Sequence, residues 1–173
     1  MNIVLIGYRG SGKSAIGKCL AAVLSLTFVD TDTRIGERAG KTIREIFAAE
    51  GEVGFRAREY QVIREVALGD GQVIALGGGA VLNPANIAAL KQDPQTRIVW
   101  LQSTPEVLHR RISADTTTSA NRPNLTATGG LEEVRRLLVV RTPLYQAAAD
   151  LALDVTHVAV EEAAASLVTL LGL

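Results

Sequence analysis

Short apolar runs alternate along the chain with longer stretches whose apolar residues recur at helical spacing. Runs at residues 2–6, 26–29, 73–76, 97–101 and 151–155 predict five strands. Residues 13–24 predict a helix with Ile16, Leu20, Val23 and Leu24 on one stripe, and further helices are expected over 84–91, 105–112, 131–148 and 159–171. Residues 33–67 hold no convincing strand and divide into two or three helices broken near Gly40 and Gly51. Thr42 with Glu45 three residues later reads as a capping box, and Pro84 sits in the first turn of its helix. The final helix lacks Lys and Arg. Residues 113–130 are rich in Thr, Ser, Asn and Gly without apolar periodicity, which predicts a long loop of the kind used as a lid. Strand and helix in alternation predict an α/β protein with a parallel sheet covered on both faces.

Ligands of such sheets bind beyond the carboxyl ends of the strands, where this chain concentrates its unusual residues. After the first strand comes Gly7-Tyr8-Arg9-Gly10-Ser11-Gly12-Lys13-Ser14. Gly, four residues, Gly, Lys and Ser between a strand and a helix is the phosphate-binding P-loop. Its backbone N–H groups and the helix N-terminus attract phosphate. Lys13 reaches the β- and γ-phosphates, and the Ser14 hydroxyl takes a place on Mg²⁺. After the second strand stand Asp30 and Asp32. In extended backbone residues i and i+2 point the same way, which suits Mg²⁺ and a substrate hydroxyl. The alternative is a solvated loop in which Thr31-Asp32 caps the next helix. After the third strand, Gly77-Gly78-Gly79 exposes backbone N–H groups and allows close approach, or is simply a flexible turn.

Composition narrows the acceptor. The chain has 173 residues, the length of one domain. Lys plus Arg equals Asp plus Glu, and aromatics are only 4%, so neither a basic field nor stacking platforms favour nucleic acid. Anion recognition must therefore be local. Cys19 is the one cysteine, which excludes an intrachain disulfide, fits the cytoplasm and reads as a packing thiol. The opening residues lack the basic region of a signal peptide, and no apolar stretch reaches membrane-spanning length. A monomer is the default expectation. His109 and His157 show no metal or triad pattern, and Tyr60, Trp100 and Tyr145 read as core or shell residues. Within Phe55-Arg56-Ala57-Arg58-Glu59, Arg56 and Glu59 are three apart and can pair on a helix, orienting a guanidinium for bidentate carboxylate binding. Arg122-Pro123 lies in the polar loop, where an arginine could close over phosphates.

These motifs, with Arg141-Thr142-Pro143-Leu144-Tyr145, occur in an order and spacing that resemble the shikimate kinase family over nearly the whole chain. The resemblance implies a three-layer αβα P-loop kinase fold, with a five-stranded parallel sheet of order 2-3-1-4-5. It implies one kinase domain over 1–173, a helical substrate-binding region at 32–60 and a mobile lid at 112–127. The implied reaction moves the γ-phosphate of ATP to the 3-hydroxyl of shikimate with Mg²⁺. Gly10, Ser11, Gly12, Lys13, Ser14 and Ala15 would surround the ATP phosphates, Arg111 (or Arg110 beside it) would lie near adenine, and Arg122 would reach the phosphates from the lid. Ser14 and Asp30 would serve the metal. Asp32, Arg56, Gly78, Gly79 and Arg141 would bind shikimate, and Lys13, Asp32 and Arg122 would be catalytic. One departure stands out: where the family pattern continues Arg-Pro-Leu-Leu, this chain has Arg122-Pro123-Asn124-Leu125. A gluconate kinase of the same fold would share the P-loop and lid, but the set Asp32, Arg56, triple glycine and Arg141 argues against it. A non-catalytic nucleotide-binding module would require decay of the acceptor residues, none of which is missing.

Overall fold

The computed structural model describes residues 1–115 and 129–173. Five strands, β1 (Ile3–Ile6), β2 (Thr27–Asp30), β3 (Gln72–Ala75), β4 (Arg97–Gln102) and β5 (Leu151–Asp154), form one sheet. Every pairing is parallel and the order is β2-β3-β1-β4-β5. The helices are α1 (Lys13–Leu24), α2 (Thr31–Ala39), α3 (Ile43–Ala67), α4 (Pro84–Leu90), α5 (Pro105–Ala114), α6 (Gly130–Ala148) and α7 (Val160–Leu171).

The central strand explains the layering. All four residues of β1 are buried. Ile3 and Leu5 join a core with Ile16, Leu20 and Leu167 of α1 and α7, whereas Val4 and Ile6 join one with Ile46, Ile63, Leu90 and Tyr145 of α3, α4 and α6. Alternate side chains of one strand thus enter opposite layers. Each such buried Ile or Leu stabilises the fold by roughly 1.5–3 kcal/mol.

Several local expectations change. On α1 the buried stripe is Ile16, Gly17, Leu20 and Ala21, while Val23 is exposed. Gly17 gives the reason: a Cβ there would lie 2.6 Å from the Phe28 ring, so the helix turns its small residues toward the sheet. Cys19 is half-buried against the same core. The strand after α1 ends at Asp30, and α2 begins at once with Thr31. The capping box of Thr42 and Glu45 is present. The Gly51 break is a kink within α3, where Gly51 adopts φ 67°, ψ −173°. Phe47 and Phe55 stack across it with centroids 4.6 Å apart. Arg58 bridges it to Glu50 through two hydrogen bonds of 2.8 and 3.0 Å, which is the use found for the second arginine of that motif. Helix α5 runs two residues further than the periodicity predicts. Most of the expected long loop, with Arg122, lies outside the described residues.

Candidate active site

The glycine loop leaves β1 and turns into α1. Gly7, Gly10 and Gly12 have φ of 142°, 83° and 91°, and a Cβ on Gly7 would sit 2.6 Å from the Leu101 carbonyl oxygen. Gly12 caps α1 without a side-chain acceptor, so the first-turn N–H groups are left for a ligand. The Lys13 ammonium curls back over the loop and donates to the carbonyls of Gly7 (2.8 Å) and Tyr8 (2.9 Å). In front of the loop lies a cleft of about 350 Å³ bordered by Gly10, Gly12, Lys13, Ser14 and Ala15, with Asp30 and Asp32 on one wall and Arg111 on another. Ser11, within the loop, is buried and is not among the residues that border the cleft.

Asp30 and Asp32 reach this cleft by a different route from the expected strand alternation. Asp30 is the last residue of β2 and the N-cap of α2. Its Oδ1 accepts the N–H groups of Asp32 (3.0 Å) and Thr33 (3.2 Å), while Oδ2 accepts the Ser14 hydroxyl at 2.6 Å. The capping role considered for Thr31-Asp32 therefore belongs to Asp30, and Asp32 projects from the first turn of α2. The oxygen pair Ser14 Oγ and Asp30 Oδ2, at the cleft wall, suits a hard divalent cation. Among the described residues no group of three or more His, Cys, Asp or Glu is placed to hold a metal ion, so such a cation would draw most of its ligands from phosphate and water.

A second, narrower cavity adjoins the cleft. Its walls include Asp32, Phe47, Arg56, Glu59, Gly77–Gly79 and Arg141. At each of the three glycines a Cβ would crowd a neighbouring group. None has a positive φ. A Cβ on Gly77 would lie 2.7 Å from Asp32 Oδ1, one on Gly78 would lie 3.2 Å from the Arg9 backbone nitrogen, and one on Gly79 would overlap the Arg56 guanidinium. The Gly78 carbonyl accepts from the Tyr145 hydroxyl (2.5 Å) and from Arg141 (3.3 Å). Arg141, almost buried, also lies over the Tyr8 ring at 5.5 Å, so one helix ties the glycine turn to the P-loop. Burial raises the Tyr145 hydroxyl well above its ordinary pKa, which keeps it a donor to Gly78.

Arg56 pairs with Glu59 at 2.8 Å and Glu52 at 3.4 Å. Glu59 is 1% exposed, and its Oε1 accepts no hydrogen bond from the described residues. Burial pushes the Glu59 carboxyl above its ordinary value, opposed by the Arg56 guanidinium and reinforced by the Asp32 carboxylate. Arg111 donates to the carbonyls of Val155 (2.8 Å) and Thr156 (3.4 Å), fixing it on the cleft wall, while Arg110 is exposed. Two residues go beyond the sequence reading. Tyr145 read only as core or shell, although its spacing after Arg141 puts both on one helix face. Arg9 occupies a variable position of the P-loop, and no sequence signal marks it.

A five-stranded parallel sheet in this order, with a P-loop and a carboxylate pair at the carboxyl ends of its strands, defines a P-loop kinase. The shikimate kinase family model matches residues 9–171. The chain is 46% identical over 156 residues to a shikimate kinase of Rhodopirellula baltica, covering 90% of this chain and 82% of that one. It is 46% identical over 149 residues to one from Symbiobacterium thermophilum, covering 86% and 83%. Among solved structures, shikimate kinase from Acinetobacter baumannii in complex with shikimate superposes with a TM-score of 0.90 at 36% identity, over 98% of this chain and 91% of that one. The chain belongs to the shikimate kinase family.

Proposed function

We propose that this protein transfers the γ-phosphate of ATP to the 3-hydroxyl of shikimate, giving shikimate 3-phosphate and ADP in chorismate and aromatic amino-acid biosynthesis. The observation that carries the reading is the acceptor cavity: the Asp32 carboxylate at the donor boundary, together with the Arg56 and Arg141 guanidinium groups, Arg56 being paired with Glu59. A small polyhydroxylated carboxylate needs that combination.

The P-loop residues Gly10 to Ala15 hold the triphosphate through backbone N–H groups, with Lys13 exchanging loop carbonyls for phosphate oxygens. Arg111 lines the adenine end. Arg56 and Arg141 clamp the shikimate carboxylate beside Gly78 and Gly79. Glu59 holds Arg56 in its clamp orientation. Asp32 accepts a hydrogen bond from the 3-hydroxyl and takes its proton as the oxygen–phosphorus bond forms and the bond to the ADP oxygen breaks. Ser14 and Asp30 would hold Mg²⁺, which supplies charge neutralisation at the phosphates when bound. Residues 1–173 act as one kinase domain, with 32–60 as the substrate-binding region and action as a monomer in the cytoplasm. No helix among the described residues is long and apolar enough to cross a membrane.

The test is an ADP-release assay with shikimate, gluconate and nucleoside monophosphates as acceptors. Turnover is expected with shikimate. A folded, ATP-binding sample that leaves shikimate untouched would overturn the assignment.

A further inference from the structure

Only two described residues border both the donor cleft and the acceptor cavity: Asp32 and Arg9. An independent observation places Arg9 at the same boundary. The Gly78 backbone approaches so closely that a Cβ there would lie 3.2 Å from the Arg9 nitrogen. The loop that holds the donor and the turn that lines the acceptor therefore touch at Arg9.

Of the other cations described around it, Lys13 serves the nucleotide phosphates from its own loop. Arg111 is anchored to the carbonyls of Val155 and Thr156. Arg56 is paired with Glu52 and Glu59, and Arg141 is anchored to Gly78. A phosphoryl group moving from donor to acceptor must pass the Asp32 carboxylate, which repels it. A guanidinium carried by a residue that borders the same passage would offset that repulsion, and its planar fork matches two phosphoryl oxygens.

We propose that Arg9 is a further catalytic residue, whose guanidinium contacts the γ-phosphoryl group as it crosses from the nucleotide to the acceptor hydroxyl. This rests on the function proposed above. Arg9 donates hydrogen bonds to the non-bridging oxygens and neither gains nor loses a proton. The bond made and the bond broken remain those of the transfer itself. Because ADP has no γ-phosphate, its binding is indifferent to this contact.

The experiment compares the parent with Arg9→Met and Arg9→Lys, measuring kcat with ATP and shikimate and, by calorimetry, the Kd of ADP and of shikimate. Arg9→Met is expected to lower kcat by at least about tenfold, with both Kd values within about threefold of the parent, and Arg9→Lys to keep an intermediate rate. A kcat within about twofold of the parent in both variants overturns the proposal. So does a loss of ADP affinity that parallels the loss of kcat, because it marks a structural role in the loop. Should Arg9→Met not fold, Arg9→Lys and Arg9→Gln decide on the same criteria. A parent without shikimate turnover overturns the functional reading and Arg9's role with it. An active parent with unaffected variants overturns Arg9's role alone.

Discussion

The donor and acceptor halves of this site are built on opposite plans. The donor half is eight consecutive residues whose shape is set by their own backbone: three glycines at positive φ, a helix N-terminus without a side-chain cap, and a lysine folded over its own loop. The acceptor half draws Asp32 from α2, Arg56 and Glu59 from α3, three glycines from the turn after β3, and Arg141 from α6. Even its glycines differ in purpose. In the P-loop they supply backbone conformations that other residues resist, whereas at Gly77–Gly79 they make room for the side chains of Asp32 and Arg56. A donor loop of this kind can be shared by many kinases, while the acceptor half identifies one.

This contrast can be broken most severely at Asp32, which borders both halves. Asp32→Asn removes the proposed proton acceptor and should lower kcat by roughly 10²–10⁴-fold while leaving the calorimetric affinity for ATP close to that of the parent. An unchanged kcat would take Asp32 out of the mechanism, and a parallel loss of ATP affinity would show the halves to be energetically inseparable. A smaller effect is expected at Arg141. Arg141→Ala removes the proposed charge-assisted contact to the substrate carboxylate, worth about 1.5–3 kcal/mol, so the Kd for shikimate should rise about 10- to 150-fold with ADP binding little changed. Equal shikimate affinities would dismiss the clamp. Loss of ADP binding would show that the stacking of Arg141 on Tyr8 supports the P-loop from outside it.

The smallest effect sharpens the comparison through pH. Glu59 has a folded-state pKa raised by burial above its ordinary 4.5. The folded protein therefore holds that proton more tightly than the unfolded chain. The corresponding stability is fully present below 4.5 and is lost as pH rises through the folded value. Glu59→Gln cannot ionise and should flatten this dependence. The Tm of the parent should fall relative to the variant as pH rises through that window. Melting curves that stay parallel would remove Glu59 as the source. In the donor half Asp30 is anchored by the Ser14 hydroxyl and two backbone N–H groups.

Much of this was legible in the residues. Apolar periodicity locates the five strands and the α-helices outside residues 33–67 to within a few positions, because burying β1 on both faces leaves a continuous apolar run and helices keep a stripe. The Arg56–Glu59 pair follows from helical spacing alone. Val23 misled because the α1 stripe is set by the small residue Gly17 against Phe28, and apolar counting does not register an absent side chain. The geometry of Asp30 and Asp32 misled because a strand can end directly in a helix cap, which moves the second carboxylate onto a helical turn.

The sequence by itself determined the donor loop and the strand–helix alternation, because each depends on residues within a turn or two of one another, while the acceptor residues were named by the family resemblance of the ordered motifs. Only the tertiary structure decided that Tyr145 and Arg141 both hold Gly78, that Arg111 rather than Arg110 lines the cleft, and that Arg9 stands between the two halves. Those relations join residues far apart in the chain, and backbone propensity carries no information about them. They arise when the helices close on the two faces of the sheet and side chains of limited reach meet or miss.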